Sequence, residues 1–209
     1  MKNLLKKRIQ SIIEMNNITG KNKVIDIGCA DVRPYSEYLI NYFNEYVGID
    51  INDNLLKIAK EKGFDNNKTA FYLGNVEVLD FNDSEFDIVV CNNMLAYTNK
   101  KLAIEEMLRI LKKEGLLISL FNNTIDYSIY KMFRPINRSF LLEFSHSLIV
   151  ILNTIFFRTF QIKFFRATYN TEKEIRNLLD NSKYDIDYQI EEMKNNLPYS
   201  VLNIIIYKK

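Results

Sequence analysis

Acidic and amide side chains stand where short apolar runs stop, and their types suit the parts of a nucleoside-like ligand. Asp26 follows "VI", Asp50 closes "YVGID" 24 positions later, Asn75 follows "FYLG", and Asn92 and Asn93 follow "DIVVC". An aspartate after a strand can take both hydroxyls of a ribose in a bidentate hydrogen bond. An asparagine offers a donor and an acceptor, which matches the edge of a purine. Gly28, in "IGCADVRPY", permits a close turn whose backbone amides face a ligand. Each residue also has a plainer use. Asp26 can bond the backbone of its own loop and Asn75 can serve a turn; Asp50 can cap the next helix, although Asn52 and Asp53 already suit that place. His146, the only histidine, is the general-base candidate because its ordinary pKa lies near neutrality, and Tyr97 is a candidate for substrate contact. A lone histidine beside a polar turn equally fits a structural role.

These residues need a scaffold that gathers strand ends. Strands are expected at 23–28, 46–50, 69–73, 86–91 and 115–121, with helices near 34–43, 53–62 and 100–112. Such alternation implies a parallel sheet covered on both faces, and nearly unbroken apolar strands such as "FDIVVC" and "GLLISLF" agree. In open sheets of this kind ligands sit outside the carboxyl ends of the strands. Within residues 1–20, Leu4, Leu5, Ile9, Ile12 and Ile13 recur with a helical period opposite Lys2, Lys6, Lys7 and Gln10. This helix packs on the sheet or, as the alternative, lies on a membrane surface.

Residues 122–168 break the rhythm. They mix bulky apolar and aromatic residues with Arg134, Arg138, Arg158, Lys163 and Arg166, and are expected to form a cap insertion. The cap is either extra core or the lining of a pocket for an apolar or lipid-linked molecule, its arginines meeting phosphate or a headgroup. Order returns at "TEKEIRNLLDNS", where Thr171 and Glu174 form a capping box. The strands "KYDIDYQI" and "SVLNIIIYKK" lie about ten residues apart, too close for a helical crossover, so they should pair antiparallel.

A length of 209 residues fits one domain, and 47% hydrophobic with 26% charged residues is ordinary globular composition. Lys and Arg number 28 against 26 Asp and Glu, a net charge of +2 that gives no push toward nucleic acid. The continuation "NNML" also differs from the Asn/Asp-Pro-Pro-aromatic turn used on flipped bases. Cys29 and Cys91 sit in apolar runs and read as buried free thiols in a reducing compartment, and no Cys/His cluster suggests a metal. Residues 144–157 are 14 without Asp, Glu, Lys or Arg, short of the ~18 needed to span a bilayer. A cytoplasmic chain is expected, with peripheral membrane contact and oligomeric state left open. A nicotinamide-dependent reductase would share the architecture but carry GxGxxG, where this chain has Gly28, Ala30 and Arg33.

Five stretches, "VIDIGCA", "YVGIDI", "LGNVEVLDF", "SEFDIVVCNNMLAY" and "EEMLRILKKEGLLISL", occur in one order and spacing. Together they resemble the class I S-adenosylmethionine-dependent methyltransferases, in the branch that includes ubiquinone-biosynthesis enzymes. The resemblance covers residues 23–121, and "YNTEKEIRNLLDNSKYDIDYQI" looks like the family's last helix and sixth strand. It implies one Rossmann-like α/β domain over 1–209: a seven-stranded, mostly parallel sheet with the last strand antiparallel, helices on both faces, and the cap between strands five and six. It implies S-adenosylmethionine as cofactor and a small-molecule methyl acceptor. Asp26, Gly28, Cys29 and Ala30 would form the loop at the methionine end, Asp50 would hold the ribose, and Ile51 would pack on adenine. Asn75, Val76 and Glu77 would meet the adenine edge, Cys91 and Asn92 would run beneath the methionine moiety, and Tyr97 stands where many relatives have histidine. Ala30 and Val32 depart from the family's glycines; alanine there fits if its φ is negative. Pro34 suits the first turn of the next helix. The alternative function is a methyltransferase-like domain that lost turnover and serves as a binding or assembly partner.

Overall fold

The computed structural model describes residues 2–18, 22–122, 124–133, 140–160, 162, 164–165, 167–193 and 198–209. After helix α1 (Lys2–Met15), the chain runs β1 (Lys23–Ile27), α2 (Pro34–Tyr42), β2 (Glu45–Asp50), α3 (Asp53–Glu61), β3 (Thr69–Leu73) and β4 (Phe86–Asn92). A 3-10 turn (Leu95–Tyr97) and α4 (Lys100–Ile110) lead to β5 (Leu111–Asn122), then α5 (Ile125–Phe133), α6 (Phe140–Phe160), α7 (Glu172–Asp180), β6 (Ile186–Met193) and β7 (Val201–Lys208). The seven strands form one sheet in the order β3-β2-β1-β4-β5-β7-β6. The first five pair parallel, while β7 is antiparallel to both β5 and β6. The strand order reverses between β1 and β4, and this opens a crevice at their carboxyl ends.

Each face of the sheet carries its own apolar layer. Ile25, Ile27, Ile49, Val89 and Cys91 pack toward Ile104 and Met107 of α4 and Ile175 of α7. Val24, Tyr46, Ile88 and Val90 pack on the other face toward Leu39 of α2 and Leu5, Ile9, Ile12 and Ile13 of α1. The leading helix therefore packs on the sheet.

Local signals set most boundaries. Pro34 opens α2, the Asn52 side chain caps α3 by accepting from the amides of Asn54 and Leu55, and Thr171 accepts from Glu174 at the start of α7. The junction of α4 and β5 differs from expectation. Phe86 pairs with Leu111 and Ile88 with Leu116, so residues 112–115 bulge out and Glu114 turns at φ +61°. The strand thus begins before Gly115. The Lys208 ammonium donates to the carbonyls of Leu108 and Leu111 at 2.8 and 2.6 Å and satisfies the helix end.

The cap holds two helices where the sequence shows no rhythm, because α6 is apolar on most sides and its helical period is hidden. Residues 144–157 belong to a longer helical run, Leu141–Phe160, which is long and apolar enough to cross a membrane by length and composition. The 14-residue stretch underestimated it because Glu143 and Arg158 lie inside the helix rather than at its ends. Arg158 stacks on Tyr169, 4.6 Å from the ring centroid, while Arg134, Arg138, Lys163 and Arg166 lie outside the described residues.

Side chains alternate along a strand, so Asp26 points into the α1–α2 layer between Ile25 and Ile27, which point the other way. There it is fully enclosed and accepts hydrogen bonds from Tyr35 (3.1 Å), Ser36 (2.5 Å) and Tyr46 (2.9 Å). Burial raises its pKa from 3.8 to about 6, against the three hydroxyls, which favour the charged form; the Asp50 charge adds to the rise. The folded chain holds this proton more tightly than the unfolded chain. The contribution to stability is therefore full below pH 3.8 and lost as pH rises through about 6. Urea unfolding of the parent and Asp26→Asn checks this: between pH 4 and pH 7 the parent should lose roughly 2–3 kcal/mol more than the variant. Parallel pH profiles would rule out the assignment.

Candidate functional site

Among the described residues, two adjoining cavities open in the crevice. The smaller, about 120 Å³, is lined by the Gly28 turn, Ile51, the 74–77 segment, Met94 and Tyr97. The larger, about 610 Å³, shares Asn75, Glu77, Tyr97 and Thr98 with it and extends to Lys100, Phe157 and Glu174. Residues of β1, β2, the loop after β3, the 3-10 turn, α4, α6 and α7 thus converge on one end of the sheet.

The turn after β1 is held by Asp50. One carboxylate oxygen accepts from the amide of Ala30 at 2.9 Å and the other from the amide of Asn52 at 2.9 Å, so this buried acid ties the loop after β1 to the loop after β2. It does not cap α3, whose cap is Asn52. Gly28, Ala30 and Val32 all take left-handed backbone, at φ +79°, +52° and +59°. The expectation of negative φ at Ala30 is corrected: the amide bond to Asp50 and the short path to Pro34 set the conformation. Each non-glycine residue in that region costs about 1–2 kcal/mol. Val32 offsets its cost by being buried against α1 and α2.

Several expected contacts move out of the crevice. Asp26 serves hydroxyls of α2 and β2 rather than a ligand or its own loop's backbone. Ala30 is buried and lines neither cavity, so its methyl does not enter the site. The Cys29 thiol points to the sheet, where its Sγ would lie 2.9 Å from a Cβ at Gly48. Cys91 lies in the α4 layer because it pairs with Ile27 and faces as Ile27 does. Both thiols are free, and burial raises both pKa values, that of Cys91 to about 12, so neither is a ready nucleophile.

Others converge on it. Ile51 is 55% exposed at the mouth, and Val76 and Glu77 line the same wall. Asn75 serves both uses read from the sequence: its Oδ1 accepts from the Glu77 amide at 3.1 Å, which forms the turn, while the residue lines both cavities. Glu77 accepts from the Asn99 amide at 2.8 Å. The Oδ1 atoms of Asn92 and Asn93 are buried without a partner at the end of β4. Tyr97 lines both cavities.

His146 does not join them. It lies on the exposed side of α6 with Leu142 and Ile149, away from the inward residues Ser147 and Val150. Partial burial and then the charge of Lys131 hold its pKa below the usual value. The sequence did not single out Met94, although it follows directly on the β4 asparagines. Its Cγ and Sδ would lie 2.7 Å from a Cβ at Gly28, so it covers that turn. Also missed were the buried Lys100, which donates to Thr168 at 3.0 Å and pairs with Glu174 at 2.9 Å, and Asn170, whose enclosed amide has no partner at either end. Their place depends on how the cap returns to α7, which no local pattern encodes.

The strain at the turn has a direct test. Ala30→Gly should raise stability by up to about 1 kcal/mol, seen as a higher thermal midpoint. Val32→Gly gains similar relief but loses a buried side chain worth about 1.5–3 kcal/mol, so its midpoint should not rise. A lower midpoint for Ala30→Gly would contradict the assigned strain.

Comparisons with known proteins agree with this arrangement. Residues 25–119 match the family described as methyltransferase domain. The ubiquinone/menaquinone biosynthesis C-methyltransferase UbiE of Pseudomonas aeruginosa is 33% identical over 114 residues, 52% of this chain and 44% of that protein. The chain thus spans less than half the length of the curated relatives it matches. Among solved structures, a SAM-dependent methyltransferase from Methanosarcina mazei superposes with TM-score 0.62 at 22% identity, covering 94% of this chain and 96% of that one. Magnesium protoporphyrin IX methyltransferase (ChlM) from Synechocystis PCC 6803, solved with bound SAH, superposes with TM-score 0.64 at 15% identity, covering 99% and 83%. Residues 25–119 are thus a methyltransferase domain, set in the fold that the chain shares with solved S-adenosylmethionine-dependent methyltransferases.

Proposed function

We propose that the chain transfers a methyl group from S-adenosylmethionine to a small-molecule acceptor, as one domain whose 122–168 cap covers the acceptor. The observation that carries this reading is the convergence of the Gly28 turn, Ile51, Asn75 and Tyr97 on adjoining cavities at the strand ends.

The residues present fit the cofactor. A Cβ at Gly74 would lie 2.4 Å from Ile49 Cδ1, so any larger residue there would have to displace the Ile49 side chain along this wall. Exposed Ile51 offers an apolar face to a purine, and the Asn75 amide nitrogen complements its edge. Asp50, fixed by two backbone amides, keeps lone pairs for two ribose hydroxyls. When bound, the cofactor supplies a methyl group already activated by its sulfonium.

The chain's own residues then bind, orient and exclude water, which supplies most of the acceleration for such a displacement. The Tyr97 phenol stands between the two cavities and orients the acceptor, while Phe157 of the cap gives the larger cavity an apolar wall. An apolar or lipid-linked acceptor suits that wall. With His146 facing outward, acceptor activation does not run through imidazole. The two free, buried thiols support a reducing, cytoplasmic setting. One observation favours a second reading, a binding or assembly partner without turnover: Met94 covers the Gly28 turn and must swing aside before a ligand can reach it. Methionine's flexible side chain makes that movement inexpensive, which favours the enzyme.

Calorimetric titration with S-adenosylmethionine tests the reading. The parent should bind, and Asp50→Ala should weaken binding on the order of 10–100-fold through loss of a charge-assisted hydrogen-bond acceptor. His146→Ala should leave binding and turnover within about twofold, as for an exposed substitution. No binding by the parent would sink the proposal, and binding without any methylated product in an extract screen would favour the second reading.

A further inference from the structure

Helix α6 is inside-out. Its enclosed side chains are Ser147, Val150, Asn153 and Thr154, three of the four polar, whereas Leu141, Leu142, Ile149, Leu152, Ile155 and Phe160 are exposed. Twelve of the twenty exposed large hydrophobic side chains among the described residues fall between positions 125 and 165. Monomeric proteins in water rarely leave so much apolar surface together. The packing of α5 against α6, with the Phe133 and Phe144 rings 6.4 Å apart, puts half-exposed aromatics at one end of this face. Phe156, with Phe160 at 4.6 Å and Phe164 at 4.8 Å, does so at the other.

We infer that the α5–α6 face docks in the plane of an anionic lipid bilayer. Charge selects this occupant over a second copy of the chain. Residues 125–166 carry six Lys and Arg against Asp126 and Glu143, while the rest of the chain has 22 basic and 24 acidic residues. Two copies of so basic a segment repel one another, but each complements a negative surface, where lysines and arginines add attraction to apolar insertion. Hydrogen bonds select in-plane docking over a span. The Asn153 amide donates to the carbonyls of Phe165 and Ala167 at 2.7 and 2.9 Å and accepts from the amides of Phe164 and Phe165 at 2.9 and 3.2 Å. Thr154 accepts from the Tyr169 amide at 3.0 Å. These bonds strap α6 to the segment leading into α7, and crossing a bilayer would break them; lying on one preserves them all. At 21 residues, about 31 Å, the helix presents its whole outer face in that pose. Docking would set the cap, and with it the larger cavity, beside lipid, and it holds whether or not the chain turns over a methyl acceptor.

Flotation of the full chain with vesicles tests the inference. Most of the protein should rise with phosphatidylglycerol/phosphatidylcholine vesicles and little with phosphatidylcholine alone, and high salt should reduce the bound fraction. The double variant L152E/I155E, both positions exposed, should bind at least ~10-fold more weakly. Its unchanged binding of S-adenosylmethionine, relative to the parent, would show that the fold survives; L141S/L142S is the second variant if it does not. Failure of the parent to float, undiminished flotation of both variants, or retention through alkaline carbonate extraction, the mark of a span, would overturn the proposal. So would a dimer, seen by light scattering, that L152E/I155E dissolves without any vesicle binding by the parent. Flotation reads lipid and calorimetry reads cofactor, so failure of one leaves the other standing.

Discussion

A carboxyl with no access to water governs the shape of the crevice. Asp26 sits in β1, one of the two strands between which the strand order reverses, and an unpartnered charge there would cost several kcal/mol. Three hydroxyls offset part of that cost, and two of them, Tyr35 and Ser36, belong to the first turn of α2. Satisfying the acid therefore fixes where α2 begins. The chain must reach Pro34 from Ile27 through six residues, and it does so with left-handed backbone at alternate positions 28, 30 and 32. The tight turn is a consequence of the buried acid as much as of its glycine.

Asp50 completes the device from the neighbouring strand. Its bond to the Ala30 amide stabilises one of those left-handed residues, and its bond to the Asn52 amide sets the start of α3. Strain at Ala30 and Val32 is thus balanced by a charge-assisted hydrogen bond and by apolar burial, not by conformational freedom. A loop that lacks two glycines keeps the geometry that glycines would give, because the surrounding structure over-determines it. Gly28 stays glycine at the point where a side chain would displace Met94 as well as meet an unfavourable φ.

Strands and their ends were legible because buried parallel strands are apolar runs and because a polar residue ending such a run stands out. Asp50 and Asn75 were singled out by that logic, Ile51 and Tyr97 through the family resemblance. Cys29 and Cys91 were drawn toward the site by their position in the motif, yet pleat alternation puts Cys91 on the α4 side with Ile27. Asp26 was legible as a buried acid but not its partners, since Tyr46 comes from another strand, 20 residues away. The cap was opaque for a different reason. A helix apolar on most faces has no readable period, and the early start of β5 reflects pairing of Leu111 with Phe86, which only tertiary register decides.

The cap also shows that the two sides of one helix answer to different surroundings. Beneath it, Ser147 Oγ is enclosed without a partner, as are both ends of the Asn170 amide, next in sequence to Thr168 and Tyr169, which bond to Ala96 and Thr154. Each unpaired buried group costs about 1–3 kcal/mol, a penalty that an apolar residue of similar size would avoid. A cap built only as extra core would carry apolar residues below and polar residues above. This one carries the reverse: Ser147, Asn153 and Thr154 face inward while Leu141, Leu142, Leu152 and Ile155 face out, the arrangement on which the inferred lipid docking rests.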